Sequence, residues 1–319
     1  MKSRIVMTMF LGLLAAAAGC GDDSSGTGAT GGGTGGTGGG TGGTGGSTGD
    51  GNVTININPE DTITNGIESC AGSDEEECIS DGYSVSFSRY IITVGFVDMA
   101  QVDGANPQMS NAVAVAEFTN LSEAGSELTS FTGIPIGQYT EFGYQTPLLT
   151  EDAENINGVS EDDLNNMRDN DLTYIIEGQI TRDADGATLD FLIEANVESF
   201  YTGCGEEGGE AGINVSTSGT DQITMHGDHV FFNGFPADES GVERLAGWMW
   251  LVDDTNSDGV LTQVDFEAAT DLGTLYPSPP YSDLNAGPAG TLTNAWDFVR
   301  SQLGTQGHLN GEGECEWEF

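Results

Sequence analysis

The chain has 319 residues, with 51 acidic against 7 basic side chains and a formal net charge of −44. Its single lysine is Lys2, at the N-terminus, so Walker-type nucleotide binding and Schiff-base catalysis, which both need a lysine in the folded part, are excluded. Nucleic acid is excluded as a partner, because contacts to phosphates need cationic side chains. The excess of acids favours solvation and attracts cations.

The N-terminus has the composition of a targeting segment. Lys2 and Arg4 precede an uncharged, mostly apolar run from Ile5 to Ala18, which is short for a membrane span. The run ends Ala-Ala-Gly-Cys, which resembles the lipobox of bacterial lipoproteins, with Ala in place of the usual Leu. The resemblance implies a signal peptide over residues 1–19, cleavage before Cys20 and acylation of Cys20. The alternative is an ordinary secretory signal with an unrelated cysteine.

Residues 20–52 are predominantly Gly, Thr and Ser. Such a segment cannot bury apolar surface, so we expect a disordered tether. No apolar run outside the signal reaches 18 residues, which predicts membrane attachment through the lipid alone. The residue after Cys20 is not Asp, and by analogy with other lipoproteins this favours the outer membrane, at its periplasmic face or the cell surface. The sequence identifies no protein or glycan partner.

Residues 53–235 alternate apolar and polar side chains, as β-strands do. The alternation changes phase near Arg89, which indicates a bulge or a switch between sheets. Strands are predicted at 53–58, 83–96, 112–118, 138–145, 173–182, 187–200 and 222–232.

The clearest hairpin joins residues 174–182 to 188–200 through the turn Asp-Ala-Asp-Gly at 183–186. The second arm has one apolar and one polar face, the pattern of a β-sandwich. The segment 133–139 resembles the turn that leads into a strand in immunoglobulin-like and transthyretin-like modules. The expected fold is therefore mainly β, an immunoglobulin-like β-sandwich with a C-terminal helical EF-hand-like segment.

One short helix is predicted within the β region, where Ser160 would cap it by accepting the amide of Asp163. From about Asp238 the period becomes helical, and the apolar residues of 242–252 recur at spacings of three and four. We therefore expect a helix-loop-helix over 236–273. A loop, a helix from about 293 to 303 and a disulfide-tied tail are expected within 274–319.

The loop between these predicted helices resembles the calcium loop of EF-hand proteins. Oxygen-bearing side chains occupy its positions 1, 3 and 5, and Gly259 occupies position 6, where the chain must turn. Asp265 departs from the pattern, which has a longer Glu at position 12. The loop is single, so calcium is expected to have a structural role. The resemblance implies calcium ligands at Asp254, Asn256, Asp258, the Val260 carbonyl, Thr262 and Asp265.

The alternative for this loop is an Asx-rich turn without metal.

Four cysteines follow Cys20, and in an exported chain four cysteines indicate two disulfides with three possible pairings. We predict Cys70–Cys78 and Cys204–Cys315. The second bond would tie the last residues of the chain back to the β region.

The chain has three histidines. In an extended strand His226 would share a face with Asp228 and His229 would point away, unless a bulge at Gly227 brought the two imidazoles together. The disulfide at Cys315 would draw the third histidine towards them. Imidazole suits zinc and copper, so the candidate transition-metal ligands are His226, Asp228, His229 and His308. The alternative is that local hydrogen bonds satisfy these residues.

The sequence thus predicts a calcium-binding, non-enzymatic lipoprotein of the cell envelope with a binding or structural role. The alternative is an envelope protein that binds zinc or copper through its histidines. A metal-dependent hydrolase comes third, because it needs an open coordination position and a general base, for which Glu312 is the nearest candidate.

Overall fold

The computed structural model describes residues 49–71, 77–122, 124–206, 209–235, 242–252, 254–256, 258–275 and 290–319. The predicted signal peptide, the lipidation site at Cys20 and nearly all of the tether lie outside these residues, as do the start of the helix predicted from Asp238 and the loop at 276–289.

The described residues are mainly β, as the alternation of apolar and polar side chains predicts. Long runs rich in Val, Ile, Tyr and Phe form the longer strands, because branched and aromatic side chains pack well on a pleated surface. The strands are β1 (Asp50–Pro59), β2 (Tyr83–Gln101), β3 (Ala105–Met109), β4 (Val113–Glu117), β5 (Ser126–Pro135), β6 (Gly137–Tyr139), β7 (Glu141–Thr146), β8 (Glu154–Ile156), β9 (Tyr174–Arg182), β10 (Thr188–Ala195), β11 (Ser199–Thr202), β12 (Ile213–Val215), β13 (Gly219–Met225), β14 (Val260–Leu261), β15 (Gly307–Leu309) and β16 (Glu316–Glu318).

Ten of these strands form one curled sheet around the long strand β2. Its path runs β14-β10-β9-β2-β7-β11-β16, with β3 and β4 also paired to β2 and β8 paired to β4. A second sheet has the order β15-β13-β1-β5, and β6 pairs with β12. The pairing of β1 with β13 is parallel. An immunoglobulin-like sandwich, which has two antiparallel sheets, is not confirmed by this arrangement.

Two local predictions within the β region are confirmed. The register between β2 and β9 shifts between Phe87 and Arg89, where the sequence changes phase. Strands β9 and β10 form the predicted hairpin, although β10 ends at Ala195 and the chain begins a separate strand at Ser199.

The helices are short and end close to the residues that cap them. Ser160 caps α2 by accepting the amide of Asp163, as predicted, and Gly304 follows the last helix, α5. The helices are α1 (Asp61–Thr64), α2 (Glu161–Asp169), α3 (Gln263–Ala268), α4 (Leu272–Leu275) and α5 (Ala295–Leu303). None of the helices in the described part of the chain has the length and apolar character needed to cross a bilayer.

The α-helix predicted over 242–252 is wrong, and the EF-hand-like helix-loop-helix is not confirmed. Only Gly247–Leu251 is helical here, as a 3-10 turn. The backbone of Arg244 instead forms single β-bridges with Ile79 and Phe232. The carboxylate of Asp81 also accepts the amide of Gly247 at 2.7 Å. These long-range hydrogen bonds override the helical spacing of the apolar residues.

A single apolar cluster unites both sheets with the C-terminal helices. It includes Ile57 of β1, Ile92 of β2, Phe191 of β10, Phe266 of α3 and Phe298 of α5. The chain segments after β13 are therefore packed on the same core as the strands. This packing holds the C-terminal tail beside the end of β13, where the three histidines meet.

Candidate metal centre

Two of the histidines follow the end of strand β13. The strand stops at Met225, and residues Asp228–Phe231 then form a buried 3-10 turn, so the strand predicted to continue to residue 232 is wrong beyond that point. Gly227 permits the turn by close packing, since a Cβ there would lie 2.8 Å from Cγ1 of Ile63. His226 thus lies just before the turn and His229 within it, rather than on opposite faces of a strand.

The third histidine reaches this place through strand β15, which pairs antiparallel with β13 and sets His308 opposite Thr224. The hydroxyl of Tyr144 donates to the carbonyl of His308 at 3.2 Å. The predicted disulfide Cys204–Cys315 is present and ties the following tail to the end of β11, as the other predicted disulfide ties Cys70 to Cys78. Sheet pairing and the disulfide together bring His308 to the histidines of the turn.

The three imidazoles form a buried cluster, which we call the His cluster: His226, His229 and His308, with 0%, 3% and 4% of their surface exposed. The Nε2 atoms of His229 and His308 lie 3.3 Å apart. The rings of His226 and His308 are 4.1 Å apart between centroids. One nitrogen from each ring lies within 4.8 Å of the other two, so the three can face one ion.

The tautomer of His229 follows from its neighbour Thr305. The Thr305 hydroxyl donates its single hydrogen to the Gln302 carbonyl at 2.9 Å. Its Oγ1 can therefore only accept from His229 Nδ1, which lies 2.9 Å away. The proton of neutral His229 is thus on Nδ1, and the lone pair of Nε2 points towards His308. Hydrogen bonding of the outer nitrogen is the usual way in which proteins orient a metal-binding histidine.

The neutral ring of His226 also has a defined tautomer. Its Nε2 lies 3.2 Å from the carbonyl oxygen of Gly311. A carbonyl oxygen only accepts, so this hydrogen bond places the proton on Nε2 and the lone pair on Nδ1. Burial lowers the pKa of His308 well below its usual value, and the neighbouring His226 and His229 lower it further. Burial thus favours the neutral form of His308, the form that binds metals.

Asp228, which the sequence grouped with the histidines, has a different partner. It is fully buried, and one of its carboxylate oxygens accepts a hydrogen bond from Nε of Arg244. Burial alone would raise the pKa of Asp228, but the Arg244 guanidinium, with His229 and His226, outweighs burial and lowers it. An oxygen of its carboxylate lies within 4.8 Å of an oxygen of the Glu60 carboxyl and a nitrogen of the His226 imidazole. Asp228 therefore places a negative charge beside the His cluster, in a group with His226 and Glu60 that is separate from the three imidazoles.

Three more carboxyl groups, those of Glu60, Glu77 and Glu312, lie near His226. Burial and the charges of Glu60 and Asp228 raise the pKa of Glu77 to about 8. Burial, and then the charge of Asp228, also raise the pKa of Glu60. Glu312 Oε1 lies 4.0 Å from His226 Nε2. A pKa of about 8 leaves Glu77 largely protonated at neutral pH, so the buried charge beside the His cluster is that of Asp228, paired with Arg244. A cation bound nearby would favour release of the Glu77 proton.

The distances in the His cluster match the needs of zinc. Nitrogen ligands lie about 2.0–2.1 Å from zinc, and a tetrahedral angle between two of them separates the nitrogens by about 3.3–3.4 Å. The separation between His229 and His308 is 3.3 Å. Imidazole also suits copper. The three imidazoles can therefore together offer nitrogen ligands to one zinc or copper ion.

The predicted calcium loop has the expected turn. Gly259 has a φ of +87°, which favours glycine, and its amide donates to Asp254 Oδ2 at 2.8 Å. The amide of Val260 donates to Asp258 Oδ1 at 2.9 Å. Such hydrogen bonds also form in an Asx-rich turn without metal.

The carboxylate at position 12 is directed elsewhere. Asp265 is fully buried, with Oδ1 accepting from Thr255 and Oδ2 accepting from Thr262, each through both an amide and a hydroxyl at 2.6–3.0 Å. It thereby closes the capping box of α3. Among the described residues, each cluster of three or more potential metal ligands includes His226, and none includes a residue of this loop. Calcium binding at the loop stays a prediction.

Several residues that matter here carried no signal in the sequence. Thr305 orients His229, Arg244 neutralises Asp228, and Glu60 and Glu77 lie far from the histidines along the chain.

Comparison of the chain with protein-family models, with curated proteins and with solved structures found no match.

Proposed function

We propose that this protein binds a divalent transition metal, zinc or copper, through His226, His229 and His308. The 3.3 Å separation between the Nε2 atoms of His229 and His308 is the observation that carries the proposal. Two imidazole nitrogens at this distance share either a proton or an ion, since two lone pairs would repel. The lone pair on Nε2 of His229 and the charge of Asp228 beside the cluster both suit a bound cation.

We further propose that the protein works outside the cytoplasm, anchored to the envelope by a lipid on Cys20. Two disulfides support export, because disulfides persist in oxidising compartments. The signal-like start and the lipobox-like ending at Cys20 support the anchor. The proposed role is binding of the metal rather than catalysis. The excess of acidic side chains in the protein attracts cations to it.

Metal binding is tested by calorimetric titration of the metal-stripped full chain with zinc and, separately, copper. We expect one ion per chain and a loss of most of the affinity in His308→Gln, which keeps a polar side chain of similar size. Asp258→Ala is the matched control, since it removes a carboxylate from the predicted calcium loop and leaves the His cluster intact. Equal zinc and copper binding by His308→Gln and the unmodified chain would refute the proposal.

Calcium binding by the loop from Asp254 to Asp265 is a separate proposal, supported by the positive φ of Gly259 and by the resemblance of the loop sequence to EF-hand loops. The same two variants separate the sites. Calcium should raise the melting temperature of His308→Gln as it raises that of the unmodified chain, and Asp258→Ala should abolish this rise. A calcium response that survives in Asp258→Ala would sink the loop assignment.

A further inference from the structure

A small cavity borders the His cluster. Its volume is about 20 Å³, and its lining includes His229, His308, Phe232 and Trp317. This is room for about one water molecule, which needs roughly 10–15 Å³ by the same measure. The two imidazoles in the lining are the pair whose Nε2 atoms face each other. The cavity therefore lies beside the place where the proposed ion would bind.

The described residues offer three ligands for that ion and no fourth. The cluster of imidazoles includes no carboxylate within ligand distance of all three rings, in the part of the chain that the structure describes. Asp228, the nearest buried acid by sequence, is held by Arg244. A zinc ion with three histidine ligands fills its fourth position with water or another small molecule.

We propose that a metal held by the His cluster keeps one coordination position open towards this cavity, and that this position takes water or a small monodentate anion. The inference rests on the proposed metal binding and names the class of ligand that the bound metal accepts. The cavity volume limits that class to ligands of a few atoms.

The walls of the cavity indicate how the ligand would be selected. Phe232 stacks on His229 with a centroid distance of 4.3 Å and closes one side with an apolar ring. Glu314 also lines the cavity and is exposed to solvent. A negative charge at that point disfavours anions relative to water. Water is therefore the ligand expected at low anion concentration.

The test is titration of the cobalt- or copper-loaded full chain with azide, monitored by visible absorption. A parallel titration with imidazole tests a ligand too bulky for the cavity. We expect the absorption change to saturate as azide is added, with a binding curve for one azide per metal. Imidazole should leave the spectrum unchanged. Glu314→Gln should tighten azide binding several-fold relative to the unmodified metal-loaded chain, because it removes a like charge. The spectrum of apo protein with azide provides the baseline.

The outcomes separate the two proposals. Failure of the chain to take up either metal would overturn the proposed function itself. A chain that retains its metal but shows no spectral change with azide would overturn the open position alone. Loss of metal during the azide titration, measured by elemental analysis after desalting, would also count against the open position, since azide would then compete with the imidazoles rather than join them.

Discussion

Thr305 accepts a hydrogen bond from Nδ1 of His229 at 2.9 Å. Its own hydroxyl hydrogen is committed to the Gln302 carbonyl, so the contact fixes both the ring orientation of His229 and the nitrogen that carries the lone pair. Partners of this kind, one step removed from a metal, change metal affinity when they are lost.

Thr305→Val should therefore lower zinc affinity by about 10- to 100-fold, the range found for loss of such partners. Valine has the shape of threonine but cannot accept the Nδ1 proton, so His229 can rotate or change tautomer. Calorimetric titration of zinc into the metal-stripped variant measures the change. Thr305→Ser, which restores a hydroxyl, should recover most of the affinity; equal losses in the two variants would assign Thr305 a packing role instead.

The disulfide Cys204–Cys315 should support metal binding as well as stability. It closes a loop of 111 residues and holds the tail that follows His308. Replacing both cysteines by serine should lower the free energy of unfolding by about 2–4 kcal/mol. Zinc affinity should also fall, because His308 would sample more positions. Denaturant unfolding and zinc titration measure the two effects.

The double serine variant at Cys70 and Cys78 is the matched control. That disulfide closes only 8 residues and ties no histidine-bearing segment. It should cost less stability and leave zinc affinity close to that of the unmodified chain. If both double variants bound zinc like the unmodified chain, the position of His308 would depend on the β13–β15 pairing alone.

Local features of the fold could be predicted from the sequence because their causes are local. The bulge between Phe87 and Arg89 is visible as a phase change, and the cap at Ser160 as a polar residue before an acidic first turn. The segment at 242–252 shows the limit of this approach. Its apolar spacing is helical, yet Arg244 forms β-bridges to residues far away in sequence, and no spacing rule includes such pairing.

The candidate site illustrates the same limit. The residue types and the disulfide indicated that His308 could approach the other two histidines. The convergence itself depends on the pairing of β15 with β13 and on the 3-10 turn that starts after Gly227. The pairing of Asp228 with Arg244 could not be predicted, because Arg244 is 16 residues away and on a segment whose apolar spacing is helical.

Arg244 should be essential for stability because it neutralises a fully buried carboxylate. It is 12% exposed as a side chain and contacts Asp228, which has no exposed surface. Arg244→Ala should lower the free energy of unfolding by about 3–5 kcal/mol, the usual cost of leaving one partner of a buried pair uncompensated. Equilibrium denaturation in chelator measures this loss without a contribution from bound metal.

Arg182→Ala is the control, since Arg182 pairs with the exposed Asp185 and lies 4.6 Å over the Trp250 ring, and its removal leaves no buried charge uncompensated. It should cost much less stability than Arg244→Ala. Adding Asp228→Asn to Arg244→Ala should recover part of the loss, because the second change removes the buried charge. Failure of the double variant to recover would mean that Arg244 acts mainly through its packing over Phe232, 5.1 Å away.

Asp265 should stabilise the fold in the absence of calcium. Burial alone would raise its pKa, but the hydrogen bonds from Thr255 and Thr262 outweigh burial and lower it. Asp265→Asn should reduce the free energy of unfolding by about 1.5–3 kcal/mol at neutral pH, because hydrogen bonds to a charged acceptor are lost. Thermal melting in chelator at several pH values measures the effect.

The pH dependence has a definite sign. A carboxyl whose pKa is lower in the folded state stabilises the protein fully above its unfolded pKa of about 3.9 and loses that contribution as pH falls through the folded value. The advantage of the unmodified chain over Asp265→Asn should thus be constant near neutral pH and shrink below about pH 3.9. Glu267→Gln, an exposed change on the same helix, should show no such trend. A loss in Asp265→Asn seen only with calcium would instead identify Asp265 as a calcium ligand, with Thr255 and Thr262 giving way to the ion.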